Sequence, residues 1–128
     1  MRHSCNFRVY YEDTDSGGVV YYANYLRFAE RARTEWLRSK GYEQSNLWKE
    51  QGIGFVVRRC NIEYLKPAFL DDVLQIETYI INKTATTITM KQIITNNNSQ
   101  GQTISTIEVL LVCVNKEFKA QKILLNLD

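Results

Sequence analysis

Asp13 and Asp15 stand two positions apart, just before a stretch that passes from turn-forming residues to helix-forming ones. They are the chain's best candidates for chemistry. The segment from Tyr10 to Tyr25 reads as a strand end, an acidic glycine-rich turn (Asp13-Thr14-Asp15-Ser16-Gly17-Gly18) and a helix start. A helix N-terminus carries unpaired N–H groups and the positive end of the helix dipole. It can therefore hold an anion or stabilise an oxyanion. A carboxylate a few residues earlier faces the same small space and would act there as base or nucleophile. The same residues also have a purely structural reading, in which Asp and Ser cap the helix and the glycines make the turn. On pattern alone that second reading is the stronger. Asp-x-Asp also suggests Mg²⁺ or Ca²⁺, but no acidic residue follows at EF-hand spacing, and no metal site is expected.

The rest of the inventory narrows the chemistry. The single histidine, His3, lies in a terminus expected to be mobile, so a Ser-His-Asp or Cys-His mechanism has no histidine to use. The three cysteines, Cys5, Cys60 and Cys113, are odd in number and far apart, which fits reduced thiols better than disulfides or a zinc site. An enzyme of this composition must work with carboxylates, hydroxyls and backbone amides, or with a cofactor.

These groups must be positioned by a fold whose elements show in the periodicity. Phe7, Val9 and Tyr11 alternate with Arg8, Tyr10 and Glu12 over residues 6–12, the pattern of a half-buried strand. From Tyr22 to Lys40 the apolar positions recur every three to four residues, predicting a helix of about 19 residues and about 28 Å. Gly41 follows it in the usual place for a helix stop. A short second helix is expected from Asn46 to Gln51, with Ser45 near its cap and Gly52 ending it. Residues 53–64, 73–82, 85–95 and 103–115 read as strands. Ile107 to Val114, nearly all apolar, reads as a central strand covered on both faces. The order implies an α+β fold with an antiparallel sheet around one long helix. One helix covers only one face of one sheet, so an oligomer is expected.

Length and composition agree. The 128 residues fit one domain, 1–128, and a hydrophobic content of 45% supports one core. A net charge of +2 without Lys/Arg runs argues against nucleic acid as a partner. Neither a membrane span nor a signal peptide is expected, which points to the cytoplasm.

The motif Tyr10-Tyr11-Glu12-Asp13-Thr14-Asp15, Gly17-Gly18-Val19-Val20-Tyr21, then Asn24-Tyr25 and Phe28-x-Glu30-x-Ala32-Arg33-x-Glu35, resembles the signature of the 4-hydroxybenzoyl-CoA thioesterase family. It is closest to the YbgC-like acyl-CoA thioesterase branch. Ile62-x-Tyr64-x-x-Pro67-Ala68-x-x-Asp71-Asp72-x-Leu74 matches as well, and the resemblance covers nearly the whole chain. It implies the hotdog fold, a five-stranded antiparallel sheet wrapped around one long central helix. It puts the catalytic carboxylate on Asp15, a nearby tyrosine on Tyr11, and the amide that polarises the thioester carbonyl on Tyr22. The position of Tyr22 is often histidine in the YbgC-like branch, so a side-chain role there does not carry over. Gly18, Val19 and Tyr64 are expected beside the substrate, with Trp48 weighed as a second channel residue. Arg58, Arg59, Lys66 and Lys83 are candidates for the CoA phosphates.

The resemblance implies hydrolysis of short- to medium-chain acyl-CoA, with aryl-CoA as a further substrate type. It requires no cofactor beyond the coenzyme A of the substrate itself. An acyl carrier protein is a second candidate carrier, and a homodimer or homotetramer is the implied assembly. A non-catalytic module that binds acyl-CoA or acyl carrier protein is the alternative. A hydratase on the same fold is disfavoured because it would need a histidine beside an acid.

Overall fold

The computed structural model describes residues 2–128. Five strands, β1 (His3–Arg8), β2 (Gly54–Tyr64), β3 (Val73–Lys83), β4 (Thr87–Asn96) and β5 (Gln102–Val114), form one antiparallel sheet in the order β1-β3-β4-β5-β2. The helix α1 (Asn24–Ser39) lies across one face. This is the architecture expected above.

α1 packs because its apolar residues fall on one side. Tyr25, Phe28, Ala29, Ala32 and Trp36 are all buried, at the three- and four-residue steps of a helix face. Ala29 and Ala32 have no exposed surface at all, and their small side chains let the helix settle close to the sheet. Phe28 stacks on Phe7 of β1 with ring centroids 5.9 Å apart. The C-terminus closes with the N–H of Gly41 on the carbonyl of Arg38 and the N–H of Tyr42 on that of Leu37. That paired closure needs a left-handed residue, and Gly41 supplies it at φ 93°.

Helix-facing residues alternate cleanly along β4, where Ile88, Met90, Gln92, Ile94 and Asn96 are buried and their neighbours only partly so. The two polar members are paired. Gln92 accepts from Arg33 Nη1 at 3.0 Å and donates to the carbonyl of Ala29 and to Thr78 Oγ1. Burial pushes the Arg33 guanidinium below its ordinary pKa. Register shifts between Val57 and Arg59, between Ile80 and Asn82, and between Ile94 and Thr95 mark bulges. Bulges increase local twist and bend a sheet, which helps it curl around a helix.

Five expectations are corrected. β1 runs over His3–Arg8 instead of residues 6–12, because Tyr11–Asp13 wind into a 3₁₀ turn closed by the N–H of Asp13 on the carbonyl of Tyr10. α1 begins at Asn24 instead of Tyr22, because residues 21–24 form a separate turn with the N–H of Asn24 on the carbonyl of Tyr21. The second helix is α2 (Gln44–Asn46), running into a π-helical turn over Leu47–Gln51, and its cap position is Glu43. β5 is not covered on both faces within the chain. Ile107, Val109, Leu111 and Cys113 are buried, whereas Leu110 and Val112 on the opposite face are half-buried. His3 is held in β1 opposite Thr78, not in a loose terminus. No helix among the described residues is long and apolar enough to cross a membrane.

Candidate active site

The end of β1 delivers Asp13 and Asp15 into two different environments. Asp13 is 6% exposed. Its Oδ2 accepts the N–H of Tyr10 at 2.8 Å and its Oδ1 accepts Asn24 Nδ2 at 2.9 Å, and its own carbonyl takes the N–H of Tyr21. It is a clamp that ties the end of β1 to the first turn of α1. Asp15 is exposed at the start of a tight hairpin. Its N–H reaches the carbonyl of Val19, its carbonyl accepts from Gly18, and its Oδ1 accepts the N–H of Gly17 at 2.8 Å. Oδ2 accepts no hydrogen bond from the described residues, so one carboxylate oxygen is free to act. Gly18 sits at φ 80°, a left-handed conformation that this hairpin needs and that a side chain would strain.

The returning arm of the hairpin is stitched to the loop after β2. The N–H of Val20 meets the carbonyl of Ala68 at 2.8 Å, and the N–H of Ala68 meets Tyr25 Oη at 3.2 Å. Tyr64, the last residue of β2, donates its hydroxyl to the carbonyl of Tyr22 at 3.1 Å. Its ring stands edge-on to Tyr22 at 6.0 Å and tilted against Tyr25 at 5.7 Å. Burial raises the pKa of both the Tyr25 and Tyr64 phenols, which keeps Tyr64 protonated and donating, and Tyr25 a neutral acceptor, over a wider pH range. Together with Val19, Val20, Leu65, Lys66 and Pro67, these tyrosines line a mostly apolar depression of about 260 Å³. The N–H groups of Tyr22 and Ala23 find no acceptor among the described residues, so the turn that opens α1 presents two free donors.

The expected site residues separate accordingly. Val19, Tyr22, Tyr64 and Lys66 share the wall of the depression. Asp15 and Gly18 lie on the adjoining hairpin, outside that wall. Tyr11 is 81% exposed in a 3₁₀ turn (Tyr11–Asp13) and its carbonyl closes on Thr14. Arg58 and Arg59 are exposed on edge strand β2, with Arg58 the extra residue of its bulge. Lys83 is not near these groups, because it lines a different hollow with Trp36, Lys40 and Leu127 beyond the C-terminal end of α1. His3 also falls at that end, beside Trp36 and Ser39. Trp48 packs against Phe118 at 5.7 Å and lines no part of the depression. Sequence reasoning missed Asn24 and Tyr25, whose partners Asp13 and Ala68 are fixed only by the fold. Asp72 Oδ2 accepts the N–H of Phe69 and Asn96 Nδ2, which fastens the loop carrying Ala68 to β4.

Comparison with known proteins places this geometry in a family. Residues 9–123 match the family model of the thioesterase-like superfamily. The acyl-CoA thioester hydrolase YbgC of Escherichia coli is 48% identical over 108 residues, covering 84% of this chain and 78% of that protein. The acyl-CoA thioesterase YbgC of Haemophilus influenzae is 45% identical over the same share of this chain and 77% of its own length. The crystal structure of a probable thioesterase from Bartonella henselae superposes with a TM-score of 0.90 at 35% identity, over 96% of this chain and 99% of that one. A 4-hydroxybenzoyl-CoA thioesterase, 23% identical, shares the fold at a TM-score of 0.87 over 95% of this chain and 91% of its own.

Proposed function

Because the chain belongs to the thioesterase-like superfamily and is a thioester hydrolase of the hotdog fold, we propose that it hydrolyses short- to medium-chain acyl-CoA, aryl-CoA included, with Asp15 as the reacting carboxylate. The observation that carries the reading is a free Asp15 oxygen on the hairpin that leads directly into a turn with two unpartnered amides before α1. Sulfur donates poorly into a thioester carbonyl, so the carbon is electrophilic. Asp15 attacks it directly, forming a mixed anhydride that water then cleaves, or takes a proton from the attacking water. In either route the carbonyl oxygen becomes an oxyanion that the Tyr22 N–H can meet. Collapse expels the CoA thiolate, whose parent thiol has a pKa of about 8.5 and needs little help from an acid. No cofactor or metal takes part in this scheme.

The other assignments are of the same kind. Residues 1–128 act as one domain in the cytoplasm. Gly18, Val19 and Tyr64 border the reacting acyl group, Tyr11 lies at the edge of the site, and Arg58 and Arg59 meet the CoA phosphates.

The test is CoA release from a panel of acyl- and aryl-CoA thioesters, read with a thiol-trapping dye in the presence of EDTA. Turnover of at least one chain length is expected. The same acyl groups on an acyl carrier protein compare the two carriers. Tight binding with no release from any thioester would leave only a binding module.

The active form is a homodimer or a tetramer built from dimers. Within one chain Asp15 and Tyr22 are open to solvent, and edge strand β2 leaves Val56 and Val57 39% and 51% exposed. An unpaired strand with apolar side chains is an invitation to pair with another. Sedimentation at micromolar concentration is expected to show at least twice the 15.0 kDa chain mass. A single species of chain mass that still turns over substrate would refute the oligomeric active form.

A further inference from the structure

Tyr64 was expected only to border the substrate, but its hydroxyl is already committed. A phenol has one hydrogen to donate, and here it goes to the carbonyl of Tyr22 at 3.1 Å. That carbonyl and the N–H of Ala23 belong to one planar peptide. This peptide is the centre of the turn Tyr21–Asn24, which is closed by the N–H of Asn24 on the carbonyl of Tyr21 at 2.8 Å. The central peptide of such a turn has no partner within the turn, so its orientation must be held from outside. Tyr64 holds it from the β2 side. Asp13 holds the flanks, through the N–H of Tyr21 and the side chain of Asn24. What remains unpaired is the N–H of Tyr22 and the N–H of Ala23.

We propose that Tyr64 is a positioning residue for the oxyanion-binding turn, fixing and polarising the Tyr22–Ala23 peptide so that the Ala23 N–H joins the Tyr22 N–H as a second donor. The inference rests on the thioesterase reading of this site. Accepting a hydrogen bond at a carbonyl polarises the amide and strengthens the N–H on the same peptide as a donor. Two adjacent donors held in place before the reaction stabilise a developing oxyanion without reorganisation. The phenol is well placed to serve in this way, since its ring is wedged against both Tyr22 and Tyr25. Tyr25 is in turn bonded to Ala68. The last residue of an edge strand thereby sets the geometry of a turn 42 positions earlier in the chain.

The decisive variant is Tyr64→Phe, which keeps the ring and removes only the hydroxyl. kcat is expected to fall about tenfold, the scale of one hydrogen bond to the reacting geometry, with KM unchanged within about twofold. In ¹⁵N–¹H spectra the Ala23 amide proton should move upfield as its peptide loses polarisation. The Tyr21 amide, bonded to Asp13, should stay where it is. A raised KM with unchanged kcat would limit the Tyr64 hydroxyl to substrate binding and overturn the proposal, as would an Ala23 amide indifferent to the change. Wild-type protein inactive on every thioester would remove the thioesterase reading along with this one. Wild-type turnover that Tyr64→Phe does not slow would remove this one alone.

Discussion

Asp15→Asn is expected to lower kcat by about 10²–10⁴-fold while leaving the fold intact and KM little changed. The structure explains why the damage should be confined to chemistry. The hairpin uses Asp15 through its backbone and through Oδ1, which accepts from Gly17. An asparagine side-chain carbonyl keeps that bond. What asparagine replaces is the free Oδ2, the atom that would attack the thioester or take the proton of water. Tyr22→Phe should be far milder, because it leaves the Tyr22 amide in place. Steady-state kinetics with a thiol-trapping dye, alongside thermal denaturation, read both effects. A folded Asp15→Asn protein with near-normal kcat would move the reaction to another group. Nucleophile and base are separated by single-turnover hydrolysis in ¹⁸O water, where label entering Asp15 itself marks the anhydride route.

Asp13→Ala is expected to damage stability instead, by about 2–4 kcal/mol. Asp13 is buried and accepts from two donors, the N–H of Tyr10 and Asn24 Nδ2. Alanine leaves both without their partner and unties the end of β1 from the first turn of α1. The denaturation midpoint should drop by roughly 10 °C. Asp13→Asn retains an acceptor for one donor and should fall between. Activity will fall as well, since Asp13 supports the turn that carries Tyr22, but loss of kcat should track the loss of folded protein. A fully stable Asp13→Ala variant with kcat as low as that of Asp15→Asn would show that the two carboxylates act together on the substrate.

Sequence alone made these two aspartates look alike, and the difference between them is instructive. Both occupy one acidic turn, and each could cap, bind or react. One is buried because Asn24 and the N–H of Tyr10 come to it, and the other is exposed because its hairpin turns it outward. The resemblance pointed to Asp15 as the reacting group, and nothing in the local pattern gave Asp13 its clamp. The start of α1 was misplaced for a related reason. Tyr22 continues the apolar spacing of the helix, but the clamp and Tyr64 hold residues 21–24 in a separate turn.

What the sequence determined by itself was everything governed by local periodicity. The long amphipathic helix, its stop at Gly41, the four strands that follow it and their antiparallel arrangement all follow from side-chain alternation and turn chemistry within a few residues. The motif around Asp15 likewise identified the family before any geometry was known. Only the tertiary structure decided which distant residues meet. Tyr64 reaches Tyr22 across 42 positions and Ala68 reaches Tyr25 across 43, while Lys83 and His3 are carried to the far end of α1. Periodicity tells which way a side chain faces. Which distant group it then faces depends on strand order and register, set by the packing of the whole sheet against the helix.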